Sequence, residues 1–214
     1  MLNLTPAADG LEVLCLGAHS DDLELGCAGT LLRLLDEVRI DRVTWVVLSG
    51  NDQRRAEAEE SCLRLTEGRC KVEFVAQEFR DGYFPYTAAP IKEFVESLKE
   101  RTSPDLILTH YREDRHQDHR LASELTYNAF RDHLILEYEV MKKDGDLGRP
   151  NVYVPLDEET ANRKVRLLIE GFASQRDRSW FSEDAFLALM RLRGIEASAP
   201  SGYAEAFYGR KLVL

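Results

Sequence analysis

A mainly parallel α/β fold is predicted by two features of the 214-residue chain. Short aliphatic or β-branched runs alternate with longer segments of helical period, the pattern of successive strand-helix-strand units. In addition, two clusters of His and Asp follow two of those runs, the place where open parallel sheets bind ligands. The first expected strand is Glu12–Ala18, followed by a glycine-containing turn and a helix carrying Leu31, Leu32, Leu34 and Leu35. Strands Arg42–Leu48 and Lys71–Phe79 come next, separated by a helix over Arg54–Leu65 whose Glu57, Glu59 and Glu60 read as a solvated face. Ile91, Phe94, Val95 and Leu98 recur at helical spacing before a strand at Asp105–His110. A strand at Ile135–Met141 leads into Lys142–Pro155, where Gly145, Gly148, Pro150 and Pro155 indicate a long irregular connection that shapes a pocket. Ala161, Val165, Leu168, Ile169 and Phe172 mark another core-facing helix, Ser179–Arg193 a further one, and a closing strand is expected near Phe207–Leu214. Together these make an open, Rossmann-like sheet with helices on both faces, in a single domain spanning residues 1–214.

Composition narrows the function. A formal net charge of -10 opposes a nucleic-acid backbone or an anionic membrane surface. No segment approaches the roughly 20 apolar residues of a membrane span, and Met1–Gly10 lack the pattern of an export signal. The four cysteines have no CxxC spacing, and Cys15 lies within an apolar run, so reduced thiols and a cytoplasmic location are expected. The glycines at Gly26 and Gly29 form neither a dinucleotide nor a P-loop fingerprint, which argues against a nucleotide-binding module.

The chemistry concentrates in His19-Ser20-Asp21-Asp22 and His116-Gln117-Asp118-His119. Three of the five histidines fall in these two clusters, and His and Asp are ordinary ligands for a borderline ion such as zinc. A lone His in a loop is more often a surface or core residue than a ligand, and Asp21 or Asp22 alone would serve to cap the next helix. Capping, however, requires neither His19 nor a second cluster at a matching strand end. Two adjacent Asp side chains leave the backbone in different directions, so one would face an ion and the other its water; spacing does not say which. Cys27 reads as packing, and His110 and His133 receive no role.

The segments AHSDDLELGCAGT and HYREDRHQDHR resemble the two signatures of the PIG-L/LmbE-like zinc-dependent N-deacetylases. Arg54-Arg55-Ala56-Glu57-Ala58, Pro104–His110 and Tyr203-Ala204-Glu205-Ala206-Phe207 are similar to further segments of that family. Ser20 stands where the family has Pro and Ala28 where it has Gly, which implies altered loop shape with the chemistry kept. The resemblance implies that His19, Asp22 and His119 hold a zinc ion, with other first-row divalent ions acceptable to such a set. It leaves Asp21 as the base, with His116 as acid and oxyanion donor oriented and made more basic by Asp118. Arg54 matches a position that binds substrate hydroxyls in some members, the competing reading being a helix-surface pair with Glu57. Asp114, four residues before Asp118, belongs to the extended second signature and is, with Arg54, a candidate for substrate binding.

The implied activity is removal of the N-acetyl group from an N-acetylglucosamine-type conjugate, a small-molecule substrate. The competing readings are an amidase acting on a bulkier N-acyl sugar or thiol conjugate, and a sugar- or metal-binding module that has lost turnover. Trp180, Phe181, Phe186, Leu187 and Met190 would either pack internally or form a homo-oligomer contact.

Overall fold

The computed structural model describes residues 10–213. Residues 1–9 and Leu214, on which part of the leader reading and the end of the expected closing strand fall, lie outside them. Seven strands form one sheet: β1 Leu11–Gly17, β2 Ile40–Val47, β3 Lys71–Ala76, β4 Leu106–His110, β5 Leu134–Tyr138, β6 Val152–Leu156 and β7 Tyr203–Gly209. Their order is β3-β2-β1-β4-β5-β7-β6, parallel throughout except that β7 runs against β5 and β6. The chain leaves β1 toward β2 and β3, then returns to place β4 on the other side of β1. This creates a switch point between β1 and β4, and the crevice above it faces the two polar clusters.

The six longer helices are α1 Asp22–Glu37, α2 Asp52–Thr66, α3 Ala88–Ser97, α4 Gln117–Ala129, α5 Glu158–Gly171 and α6 Glu183–Ala197. Side chains of β1 alternate between two cores: Val13 and Cys15 pack with residues of α1, α2, α5 and α6, while Leu14 and Leu16 pack with those of α3 and α4. A strand buried on both faces must be apolar at nearly every position, which is why Val13–Ala18 stands out in the sequence. Close packing of α1 depends on its glycines. A Cβ at Gly26 would lie 2.2 Å from Tyr138 Cδ2, and one at Gly29 would lie 2.5 Å from Leu156 Cδ1.

A buried ion pair fixes the same helix. Lys164 Nζ of α5 donates to Glu205 Oε1 of β7 at 2.6 Å and to the Leu25 carbonyl at 2.6 Å. The Glu205 carboxylate also accepts the Gly29 and Thr30 amides of α1, at 2.9 and 2.6 Å. The helix that begins at Asp22 is thereby tied to α5 and β7.

Several boundaries differ from the sequence reading, among them β5, which ends at Tyr138 rather than Met141, and α6, which spans Glu183–Ala197 rather than Ser179–Arg193. Val152–Leu156 is a strand, although Lys142–Pro155 reads as irregular: at the sheet edge Pro155 needs no ladder donor, so proline is tolerated. The last strand is Tyr203–Gly209, because Glu205 points inward to Lys164 and interrupts an apolar pattern that would otherwise mark its start. The strand expected at Lys71–Phe79 ends at Ala76. Gly145, Asp146, Leu147 and Gly148 of the glycine-rich connection line a cleft of about 620 Å³ with Tyr111, Glu113, Asp114 and Arg115.

Candidate metal centre

The first cluster occupies the turn between β1 and α1, and the second the turn between β4 and α4, so strand pairing of β1 with β4 brings them together. His19 Nδ1 lies 3.2 Å from His119 Nε2 and 3.3 Å from Asp22 Oδ2, and His119 Nε2 lies 3.5 Å from Asp22 Oδ1. Ligands about 2.0–2.2 Å from a tetrahedral ion are separated by about 3.3–3.5 Å, close to the His19–His119 spacing, while the Asp22 carboxylate reaches the two rings through different oxygens. The outer ring nitrogens are also engaged. His119 Nδ1 is 3.0 Å from Asp114 Oδ2, while His19 Nε2 is 3.1 Å from Asp81 Oδ1 and 3.4 Å from Asp118 Oδ2. A carboxylate behind each imidazole is the usual support of a histidine ligand, since it fixes the tautomer and raises basicity. By donor chemistry and by distance, these residues fit a divalent ion.

Donor atoms also converge in three overlapping groups: His19, His116 and His119; His19, Asp81, His116 and Asp118; and Asp22, His110 and His119. Two of these residues are additions to the sequence reading. His110, at the end of β4, is fully buried, accepts the Ala18 amide on Nε2 at 2.9 Å and stacks on His119 at 3.9 Å. Asp81 follows β3 and also approaches Arg54 Nη1 at 3.7 Å. An imidazole at the carboxyl end of an otherwise apolar strand, and an Asp-Gly pair after β3, are the local signals that mark them. His133 has no place here; it follows α4, half-buried and edge-on to Phe130.

Asp21 occupies the cap position of α1 but makes no capping hydrogen bond. Its Oδ1 instead accepts from Arg54 Nη2 at 3.0 Å. Arg54 therefore faces the centre, while Glu57, its alternative partner, accepts from Ser174 and Gln53. Burial raises the Asp21 pKa, the Asp22 charge adds to that rise, and Arg54 opposes it. Asp22 moves the other way: burial favours its neutral form, but His119, His110 and His19 outweigh burial and hold it well below the carboxylate range.

Asp114 and Asp118 each contact a histidine of the centre. Asp114 is 3 % exposed, and its oxygens take His119 Nδ1, the His116 amide at 2.7 Å and Lys142 Nζ at 2.9 Å. It is thus a buried support for His119 that also lines the cleft beside Tyr111 and Asp146. Asp118 sends its carboxylate to the Gly82 amide at 2.6 Å, the Phe84 amide at 3.1 Å and His19, not to the His116 ring. The bond between these two residues runs from the Asp118 amide to His116 Nδ1 at 3.3 Å, where His116 caps α4. Burial and the neighbouring His19 lower the His116 pKa, outweighing the pull of Asp118. Because Nδ1 accepts the Asp118 amide, the proton of the neutral ring is the one on Nε2.

Ser20 and Ala28, the two departures from the family signatures, are buried, Ala28 within the apolar core, and supply none of the donors above. Cys27 is fully buried, donates to the Leu23 carbonyl at 3.2 Å, and has its pKa raised by burial, so it packs as an inert thiol.

Fold and site together define an α/β protein with a His/Asp centre, suited to a metal, at the carboxyl edge of its sheet. The family model described as GlcNAc-PI de-N-acetylase matches residues 14–130, just over half the chain, and the chain belongs to this PIG-L family of deacetylases. N,N'-diacetylchitobiose deacetylase from Pyrococcus horikoshii is similar over 94 % of this chain and 84 % of its own, with a TM-score of 0.74 at 21 % identity. The zinc-inhibited form of teicoplanin deacetylase Orf2 is similar over 92 % and 97 %, with a TM-score of 0.71 at 13 % identity. GalB, the 4-carboxy-2-hydroxymuconate hydratase from Pseudomonas putida KT2440, is similar over 95 % and 98 %, with a TM-score of 0.76 at 18 % identity. The same fold thus carries a hydratase as well as deacetylases, so the reaction must be argued from the site.

Proposed function

We propose that the chain is a zinc-dependent N-deacetylase acting on an N-acetylglucosamine-type conjugate, with the ion held by His19 Nδ1, His119 Nε2 and the Asp22 carboxylate. The observation that carries this reading is the 3.2 Å approach of His19 Nδ1 to His119 Nε2, with the two oxygens of the Asp22 carboxylate 3.3 and 3.5 Å from these rings and Asp21, which makes no capping bond, next to it in the chain. A divalent ion there supplies Lewis acidity to a water molecule and to the amide carbonyl.

The chain's own groups do the rest. Asp21, with its raised pKa and its Oδ1 fixed by Arg54, takes the proton of the attacking water and returns it to the departing nitrogen. The acetamide C–N bond breaks, and the products are acetate and a free amine. His116, neutral with its proton on Nε2, donates a hydrogen bond to the carbonyl oxygen as negative charge collects there. Asp114 holds His119 and Asp81 holds His19, so each imidazole presents a lone pair inward. Arg54 and the exposed Asp81 supply a charged rim suited to sugar hydroxyls. The cysteines in the structure are free, which suits a reducing compartment such as the cytoplasm.

The test is acetate release from N-acetylglucosamine and N,N'-diacetylchitobiose by the zinc-loaded chain and by its Asp21→Asn variant. Acetate from the parent, with turnover lowered at least a hundredfold in a variant that keeps its metal, is expected. A fully active variant would remove Asp21 from the role of base, and an inert parent would remove the substrate class.

A further inference from the structure

The loop after β3 presents two aromatic rings to solvent beside the metal centre. Tyr83 and Tyr86 are 42 and 77 % exposed, with ring centroids 6.0 Å apart. The Arg80 guanidinium lies 3.6 Å over the Tyr83 ring, covering one face and fixing its orientation. The backbone beneath is tied to the centre at successive points. Asp81 reaches His19 Nε2, the Gly82 and Phe84 amides bond Asp118, and Gln117 donates to the Gly82 carbonyl. Phe84 anchors the loop in the core beside His19, 6.1 Å between centroids. A segment this firmly held has no structural need for two exposed tyrosines, since its packing is already supplied by Phe84.

We infer that Tyr83 and Tyr86 form a subsite for the second pyranose ring of a glycan-type substrate, the ring linked to the one that carries the acetamide. The inference rests on the deacetylase reading above. A pyranose has an apolar C–H face and a hydroxylated edge, which calls for an aromatic surface beside charged hydrogen-bonding groups. Tyr83 and Tyr86 are the surface, and Asp81 and Arg54 are the charged groups next to it. The assignment of rings follows from position. The acetamide-bearing ring must lie against Asp21, His116 and Arg54 to place its carbonyl, and the tyrosines stand further out along the same loop. Contact is through the ring faces, so the phenol oxygens are dispensable.

The experiment compares N-acetylglucosamine with its β-1,4-linked dimer as substrates for the zinc-loaded parent and the Tyr83→Ala, Tyr86→Ala and corresponding Phe variants. Alanine at either position is expected to raise the dimer KM about five- to tenfold relative to the monomer KM, with the dimer kcat retained and phenylalanine restoring the parent value. An equal shift for both sugars, or none, would overturn the subsite. If acetate is released from neither sugar, the deacetylase reading has failed, and calorimetric titration of the dimer decides the subsite separately. Binding to the parent that Tyr83→Ala/Tyr86→Ala abolishes upholds it; equal binding, or none to the parent, overturns it.

Discussion

Glu24 predicts an unusual dependence of stability on pH. It lies in the first turn of α1, fully buried, with the Ser61 hydroxyl as the neighbouring polar group and no charged partner among the described residues. Burial pushes its pKa up to about 8, with Ser61 pulling the other way and the charges of Asp21 and Asp22 adding to the rise. An acid whose folded pKa exceeds its unfolded value binds more protons in the fold, so stability falls as pH rises between the two values. With an unfolded value near 4.5, the loss between pH 5 and pH 8 amounts to about 3 kcal/mol. Glu24→Gln removes the ionisation and keeps the shape. Urea denaturation of chelator-treated parent and variant at pH 5, 6.5 and 8 should show the variant gaining about 3 kcal/mol on the parent across that range. The difference between the two proteins isolates Glu24 from the other groups that titrate. A difference that stays constant with pH would refute the reasoning, because it would mean that Glu24 is ionised throughout or hydrated.

Two further perturbations follow. Lys164→Met strands the Glu205 carboxylate inside the fold and should lower stability by about 3–5 kcal/mol in urea denaturation, and adding Glu205→Gln should recover part of that loss. Asp81→Asn should weaken zinc binding by about tenfold in competition with a chromophoric chelator, at the low end of such effects because Asp118 remains 3.4 Å from the same His19 nitrogen.

The parts of the fold that sequence made plain are those where burial dictates composition. Val13–Ala18, Val43–Leu48 and Leu106–His110 are core strands with apolar residues on both faces, and the clusters that follow β1 and β4 meet because those strands are neighbours. Edge positions obey looser rules, so Pro155 in β6 looked like a breaker. The start of β7 is hidden because Glu205 breaks its apolar run, and the partner that buries it, Lys164, lies 41 residues away on α5. Asp81 and His110 were missed for a related reason: Asp81 comes near His19 only through the order of β3, β2 and β1, and His110 resembled a strand end. Asp118 shows the limit of reading roles from adjacency. It sits two residues from His116 and looks like its orienter, yet the turn into α4 aims its carboxylate at the Gly82 and Phe84 amides.

The central claim is that two loops a hundred residues apart build one metal centre. Elemental analysis tests it most directly, on the parent chain and on His19→Ala/His119→Ala, each exposed to zinc and then thoroughly exchanged into metal-free buffer. One zinc per parent chain and none in the variant is the predicted result, whereas equal and negligible metal in both would contradict the account.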